Sequence, residues 1–215
     1  NDLLSRPDQK LMPKITDSPS LAGFVLLLAL DGNTEGIAHH NVWFPENYNA
    51  EFDAIFGKAP TPPIDPAIYA CVPDDPQMRP SPDCESWFIL VNAPRHDSSG
   101  SNGFNWNAPG CKEQYAQQIL DILAARGTDI RPRVKWQEIR TPADLERDTM
   151  APGGSIYGAS SNGPRAAFTR PANQSNISGL YLVGGSSHPG GGLPLVGMGA
   201  EITAELIGRA EKPNP

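Results

Sequence analysis

The sequence predicts an α/β fold of the α+β kind, in which a mixed sheet carries helices. Three observations predict it: short apolar runs ended by turn residues, one long segment with the 3.6-residue period of an amphipathic helix, and a glycine-rich loop between an apolar run and a further helix. Residues 21–30 (LAGFVLLLAL) are continuously apolar and stop at Asp31-Gly32-Asn33, which suits a central buried strand and leaves a helix as the alternative. Residues 39–44 (HHNVWF) alternate, and Pro45 ends them before a helical stretch over 48–56. Residues 67–72 and 86–91 are two further strands, and the proline-rich 73–82 between them cannot be regular structure. Over 108–126 the positions Tyr115, Ile119, Ile122 and Leu123 keep the helical period, with Gly127 as the stop. A strand over 134–139 follows. Thr141-Pro142-Ala143-Asp144 then opens a short helix, with Thr as N-cap, Pro at the first position and an acid in the first turn. Residues 153–164, rich in Gly, Ser and Asn, read as loop. The final unit is a strand over 180–183, a glycine loop, and a helix over 194–207.

Composition removes several function classes. The 215 residues carry 17 basic and 24 acidic side chains, a net charge of −7, with no Lys/Arg cluster, so a phosphate backbone would be repelled and no nucleic-acid partner is expected. At 39% hydrophobic the chain is too apolar to be disordered, and its longest apolar run is about half of the roughly 20 residues a spanning helix needs. Cys71, Cys84 and Cys111 are widely spaced without a Cys-x-x-Cys pair, so neither a disulfide framework nor a metal site is expected. Idle thiols suit a reducing, cytoplasmic location. Residues 1–14 lack the grading of a signal peptide, and the chain opens without Met, from which a longer natural N-terminus is expected.

The chemistry is expected in the glycine loop. Gly184, Gly185, Gly190, Gly191, Gly192, Gly197 and Gly199 follow closely on the apolar Leu180-Tyr-Leu-Val183. Glycines let amides face a ligand, and the helix that begins near Pro194 adds its positive end, which suits an anionic or electron-rich group. A tight structural turn is the alternative. The dinucleotide fingerprint Gly-x-Gly-x-x-Gly is missing, and so is a Walker A loop. Ser186 beside His188 does not form a nucleophile elbow, since the fifth position is His instead of Gly.

Gly179-Leu-Tyr-Leu-Val-Gly184 and Ser187-His-Pro-Gly-Gly-Gly-Leu-Pro194, followed by a helix, resemble the C-terminal flavin-binding signature of the bacterial phytoene desaturase family of FAD-dependent carotenoid oxidoreductases. His39-His40-Asn41 with Phe44, Tyr48 and Glu51-Phe52-Asp53 resembles the family's middle region, as do Pro66-Ala-Ile-Tyr69 and Thr141-Pro-Ala-Asp144-Leu-Glu146. Gly154-Ser-Ile-Tyr157-Gly158 and Phe168-Thr-Arg170-Pro171 also fit. Family members are much longer, and the N-terminal nucleotide-binding half has no counterpart in this sequence.

The resemblance implies desaturation of a carotenoid or related polyisoprenoid by bound FAD, with this chain as a C-terminal fragment. By itself it is expected to be inactive and not to retain the cofactor. Residues 1–170 would form part of a substrate domain, helices over an apolar tunnel, and 171–215 the C-terminal part of a Rossmann-like FAD domain. Gly184, Gly185, His188, Pro189, Gly190, Gly191, Gly192, Leu193, Pro194, Leu195 and Val196 would contact the flavin. Tyr157, Phe168 and Leu195 would line the substrate tunnel. His188 is the one candidate for catalysis, with loop shaping as the competing explanation. His39 and His40 are read as strand or substrate-domain residues before metal ligands, and Arg165 and Arg170 as cofactor-phosphate partners or solvated side chains. The expected partners are a hydrophobic polyene and the absent FAD-binding half, with peripheral membrane association and self-association both open. The alternative reading is a stand-alone, non-enzymatic module that binds an apolar ligand or a partner.

Overall fold

A computed structural model describes residues 19–79, 81–160 and 170–208. The chain is of mixed α and β structure and divides into two compact units, Leu21–Ser155 and the described residues of Asn1–Ser20 with Ile156–Pro215.

The first unit is built on five strands: β1 Ala22–Asp31, β2 His40–Trp43, β3 Ile68–Cys71, β4 Cys84–Ala93 and β5 Val134–Arg140. Their order in the sheet is β2-β3-β4-β1-β5, and every ladder is antiparallel. The expected mixed sheet is therefore corrected to an antiparallel one. The reason lies in the position of β1: the connection from β4 to β5 passes over it, so two strands that run the same way never touch. The apolar run over 21–30 is a strand, as its turn signal predicts, and β4 and β5 flank it.

Among its described residues this unit has three α-helices. Helix α1 (Tyr48–Phe56) starts on Asn47, whose side chain accepts the Ala50 amide. Helix α2 (Cys111–Ala125) puts Tyr115, Ala116, Ile119, Leu120 and Leu123 on its buried stripe, the spacing that the 3.6-residue period requires. Helix α3 (Pro142–Thr149) carries a complete capping box, in which Thr141 and Asp144 each accept the other's backbone amide.

The core collects Phe24, Leu26, Leu28 and Leu30 of β1, Trp87, Ile89 and Val91 of β4, and the stripe of α2. The ring of Phe24 packs against Trp106 at 5.2 Å and against Tyr115 at 5.0 Å. A truncation such as Ile119→Ala would cost about 2–5 kcal/mol. Among the described residues two carboxylates are buried, Glu51 and Glu85. Glu85 accepts the Thr34 amide and hydroxyl at 2.8 and 2.7 Å and the Trp87 indole at 3.0 Å, with Arg133 at 3.6 Å. Burial pushes its pKa up, but these hydrogen bonds and the guanidinium prevail and hold it below the ordinary glutamate value.

The second unit contains helix α4 (Leu193–Ile207), in agreement with the sequence pattern. The expected strand over 180–183 is corrected: among the described residues this segment makes only an isolated bridge, Gln174 with Tyr181. Its amides are taken locally, that of Leu180 by the Ile177 carbonyl and that of Leu182 by the Asn173 carbonyl, and Val183 is exposed. Among the described residues no helix is long and apolar enough to cross a membrane.

Candidate functional site

The glycine loop runs from Gly184 to Gly192 and is closed by its own polar groups. Ser187, buried, donates both its amide (3.1 Å) and its hydroxyl (2.9 Å) to the Gly184 carbonyl. His188 donates its amide to the Pro171 carbonyl at 2.9 Å, and the bond between His188 and Pro189 is cis. Asn173, buried, donates its side-chain amide to the carbonyls of Leu182 (3.0 Å) and His188 (2.9 Å), tying the entry and the middle of the loop to one side chain. The guanidinium of Arg170 donates to the carbonyls of Gly185 (2.8 Å) and Tyr157 (3.1 Å). Arg170 thereby staples the loop.

Helix α4 leaves this loop directly. Gly192 is its N-cap, no side chain caps it, and Pro194 occupies its first turn. The helix lies against the loop through Gly199, where a Cβ would stand 3.2 Å from the His188 carbonyl oxygen and 3.4 Å from Pro189. Thr203 fixes the same face by donating its hydroxyl to the Gly199 and Leu182 carbonyls at 2.8 and 3.3 Å.

Two glycines define the bare side of the loop. Gly184 (φ 117°) and Gly192 (φ 94°) sit in the left-handed region, and no atom lies within 4 Å of a Cβ built on either. Gly191 differs, for a Cβ there would meet the Tyr157 ring at 2.8 Å. Gly185 packs inward, toward Gly191 and Val196.

The structure thus brings Gly184 through Val196 and Tyr157 together in one unit. Leu193, Pro194 and Leu195 are exposed on the first turn of α4, with Leu193 90% accessible. Phe168 and Arg165 lie outside the described residues. The His188 imidazole is exposed, has no hydrogen-bond partner among the described residues, and makes no hydrogen bond with Ser186. Asn173 is the residue that sequence reasoning missed. Its only signal was an Asn-Gln-Ser triplet of the glycosylation type, and its burial denies that use.

A second cluster lies on the sheet of the first unit. Antiparallel register pairs His40 with Cys71, and His39 precedes the strand. Ligand atoms of His39, His40 and Cys71 lie within 4.8 Å of one another. Nδ1 of His39 is 3.0 Å from Asp74 Oδ1, and Nδ1 of His40 is 2.9 Å from the Tyr69 hydroxyl.

No protein-family model matches the chain. It is 39% identical over 171 residues to the 1-hydroxycarotenoid 3,4-desaturase of Flavobacterium sp., a match over 78% of this chain and 33% of that protein. It is 33% identical over 178 residues to the hydroxyneurosporene desaturase of Rhodobacter capsulatus, covering 83% of this chain and 34% of that one. A 4,4'-diapolycopene oxygenase of Methylomonas sp. aligns at 32% identity over 95% of this chain and 41% of its own length. The resemblance carried by the motifs is borne out, and the chain spans about a third of the length of the first of these relatives.

Proposed function

From this kinship with carotenoid desaturases and oxygenases we propose that the chain supplies the flavin-facing loop and part of the substrate domain of an FAD-dependent carotenoid desaturase. The observation that carries the proposal is the bare backbone at Gly184 and Gly192, which runs straight into a helix whose N-terminus no side chain caps. That donor set fits a flavin: amides without side chains in front of them, and a positive helix end worth about 0.3–2 kcal/mol toward an electron-rich edge. Bound FAD would supply the two-electron hydride acceptor that introduction of a double bond into a polyene requires.

This chain's residues prepare that event. Asn173 and Ser187 fix the loop, Arg170 holds its Gly185 corner, and Gly199 lets α4 approach the His188 carbonyl. Tyr157 covers Gly191, and Gly190 is buried against Leu195 and Arg170, so the flavin-facing positions are Gly184, Gly192 and the first turn of α4. His188 shapes the loop through its backbone, and its imidazole is exposed. For the polyene we assign the sheet face that bears Val25, Leu27, Tyr69, Phe88 and Leu90. They share one side by register and are half-buried or exposed, an apolar strip bordered by Glu138 and Arg140 on β5 and by His40 and Cys71 on β2 and β3.

The test uses the longer protein that contains this chain, co-expressed with hydroxylated or unhydroxylated carotenoids. A red-shifted polyene in the wild type, lost together with bound flavin in Gly192→Val, supports the assignment. A flavin-loaded protein that leaves every carotenoid unchanged overturns the desaturase reading. Normal flavin binding in Gly192→Val overturns the loop assignment.

A further inference from the structure

We propose that His39, His40 and Cys71 form a binding site for a borderline-soft divalent cation, zinc first, at the edge of the β-sheet. The sequence offers no metal spacing, because the third donor comes from another strand. Register supplies it: β2 and β3 pair His40 with Cys71 across the ladder, and His39, whose carbonyl accepts the Val72 amide at 2.8 Å, stands beside them. One ligand atom from each of the three lies within 4.8 Å of the others, and the two imidazole centroids are 4.5 Å apart. Tetrahedral zinc, with bonds of about 2.0–2.3 Å, places donors roughly 3.3–3.6 Å from one another. At the 4.8 Å limit the ligand atoms would close by about 1.2–1.5 Å, within the swing of rings that stand partly in solvent.

The second observation is the orientation of both rings. The Asp74 carboxylate and the Tyr69 hydroxyl each engage an Nδ1, which biases the ring orientation without locking it and leaves Nε2 as the uncommitted nitrogen. A carboxylate or hydroxyl behind a histidine is the arrangement that orients metal-bound imidazoles. Two imidazoles and a thiolate suit zinc, cobalt(II) and their neighbours over calcium or magnesium, which take oxygen donors. Binding forms two metal–nitrogen bonds and one metal–sulfur bond, and the Cys71 thiol proton leaves to solvent. Three protein donors keep a fourth position for water. The cation would clip β2 to β3 and to the turn that carries Asp74. None of this rests on the flavin assignment.

Cobalt(II) titrated into the purified chain, with zinc as competitor, is the direct probe. The expected result is one cobalt per chain, with a near-ultraviolet thiolate charge-transfer band that zinc abolishes and a thermal midpoint that rises with zinc concentration. Cys71→Ser should remove the band, while Cys84→Ser and Cys111→Ser keep it. Asp74→Ala, at an exposed positioning residue, should weaken binding about 10- to 100-fold and leave the far-ultraviolet circular dichroism unchanged. A band that survives Cys71→Ser, or that follows Cys84 or Cys111, overturns the proposal. So does binding that is indifferent to His40→Ala in a variant that folds like the wild type.

Discussion

Asn173 is the polar pin of the glycine loop, and Asn173→Ala should open that loop while leaving the five-stranded sheet intact. The side chain is 4% exposed and donates two hydrogen bonds, at 3.0 Å to the Leu182 carbonyl and 2.9 Å to that of His188. Alanine removes both donors. The Leu182 carbonyl keeps the Thr203 hydroxyl at 3.3 Å, whereas the His188 carbonyl loses its side-chain partner. Each buried carbonyl left without a partner costs about 1–3 kcal/mol, so one full loss and one partial loss come to about 2–4 kcal/mol. Expressed as amide hydrogen exchange, that is an acceleration of about 30- to 1000-fold for the loop's protected amides. The amides to follow are those of His188, bonded to the Pro171 carbonyl, and Leu182, bonded to the Asn173 carbonyl. Amides of β1 and β4 serve as the internal reference, since they belong to the other compact unit. Wild-type exchange at His188 and Leu182 in Asn173→Ala would refute the pin, and equal acceleration in β1 would show a global effect in place of a local one.

Gly197 lies in the middle of α4, exposed, with no atom within 4 Å of a Cβ built there, so Gly197→Ala should stabilise the helix by about 0.5–1 kcal/mol. A lower thermal midpoint would refute it by revealing a close neighbour. Asp97 accepts the Asn102 amide and then the Ser99 hydroxyl and amide, which bring its carboxyl down to about 2. Because the folded value is depressed, the loop over 97–102 keeps its full contribution above the unfolded value and loses it as pH falls through about 2. A carboxyl NMR titration should place the midpoint there, and a midpoint at the ordinary aspartate value would refute the loop geometry.

What the sequence made legible was what neighbouring residues decide. The Thr141 capping box, the stripe of α2 and the extent of α1 each depend on a few consecutive side chains, and each stands in the structure. What it could not make legible depends on which distant segment arrives. The antiparallel ladders follow from β1 lying between β4 and β5, which no local pattern records. The run over 180–183 has strand composition, yet its amides find Asn173 and Ile177 first. His39 and His40 read as strand residues until register set Cys71 opposite.

The glycine loop shows the same limit at single-residue scale. Seven glycines close together announce that something must approach the backbone, but not which glycine serves which neighbour. Gly191 and Gly199 are reserved for the protein itself, the first for the Tyr157 ring at 2.8 Å and the second for the His188 carbonyl oxygen at 3.2 Å. A side chain at either site would disturb packing before it met any ligand. Gly184 and Gly192 are constrained by conformation and faced by open space, so substitution there bears on whatever the loop binds. A glycine-rich sequence therefore mixes two demands, and only the distances around each missing Cβ separate them.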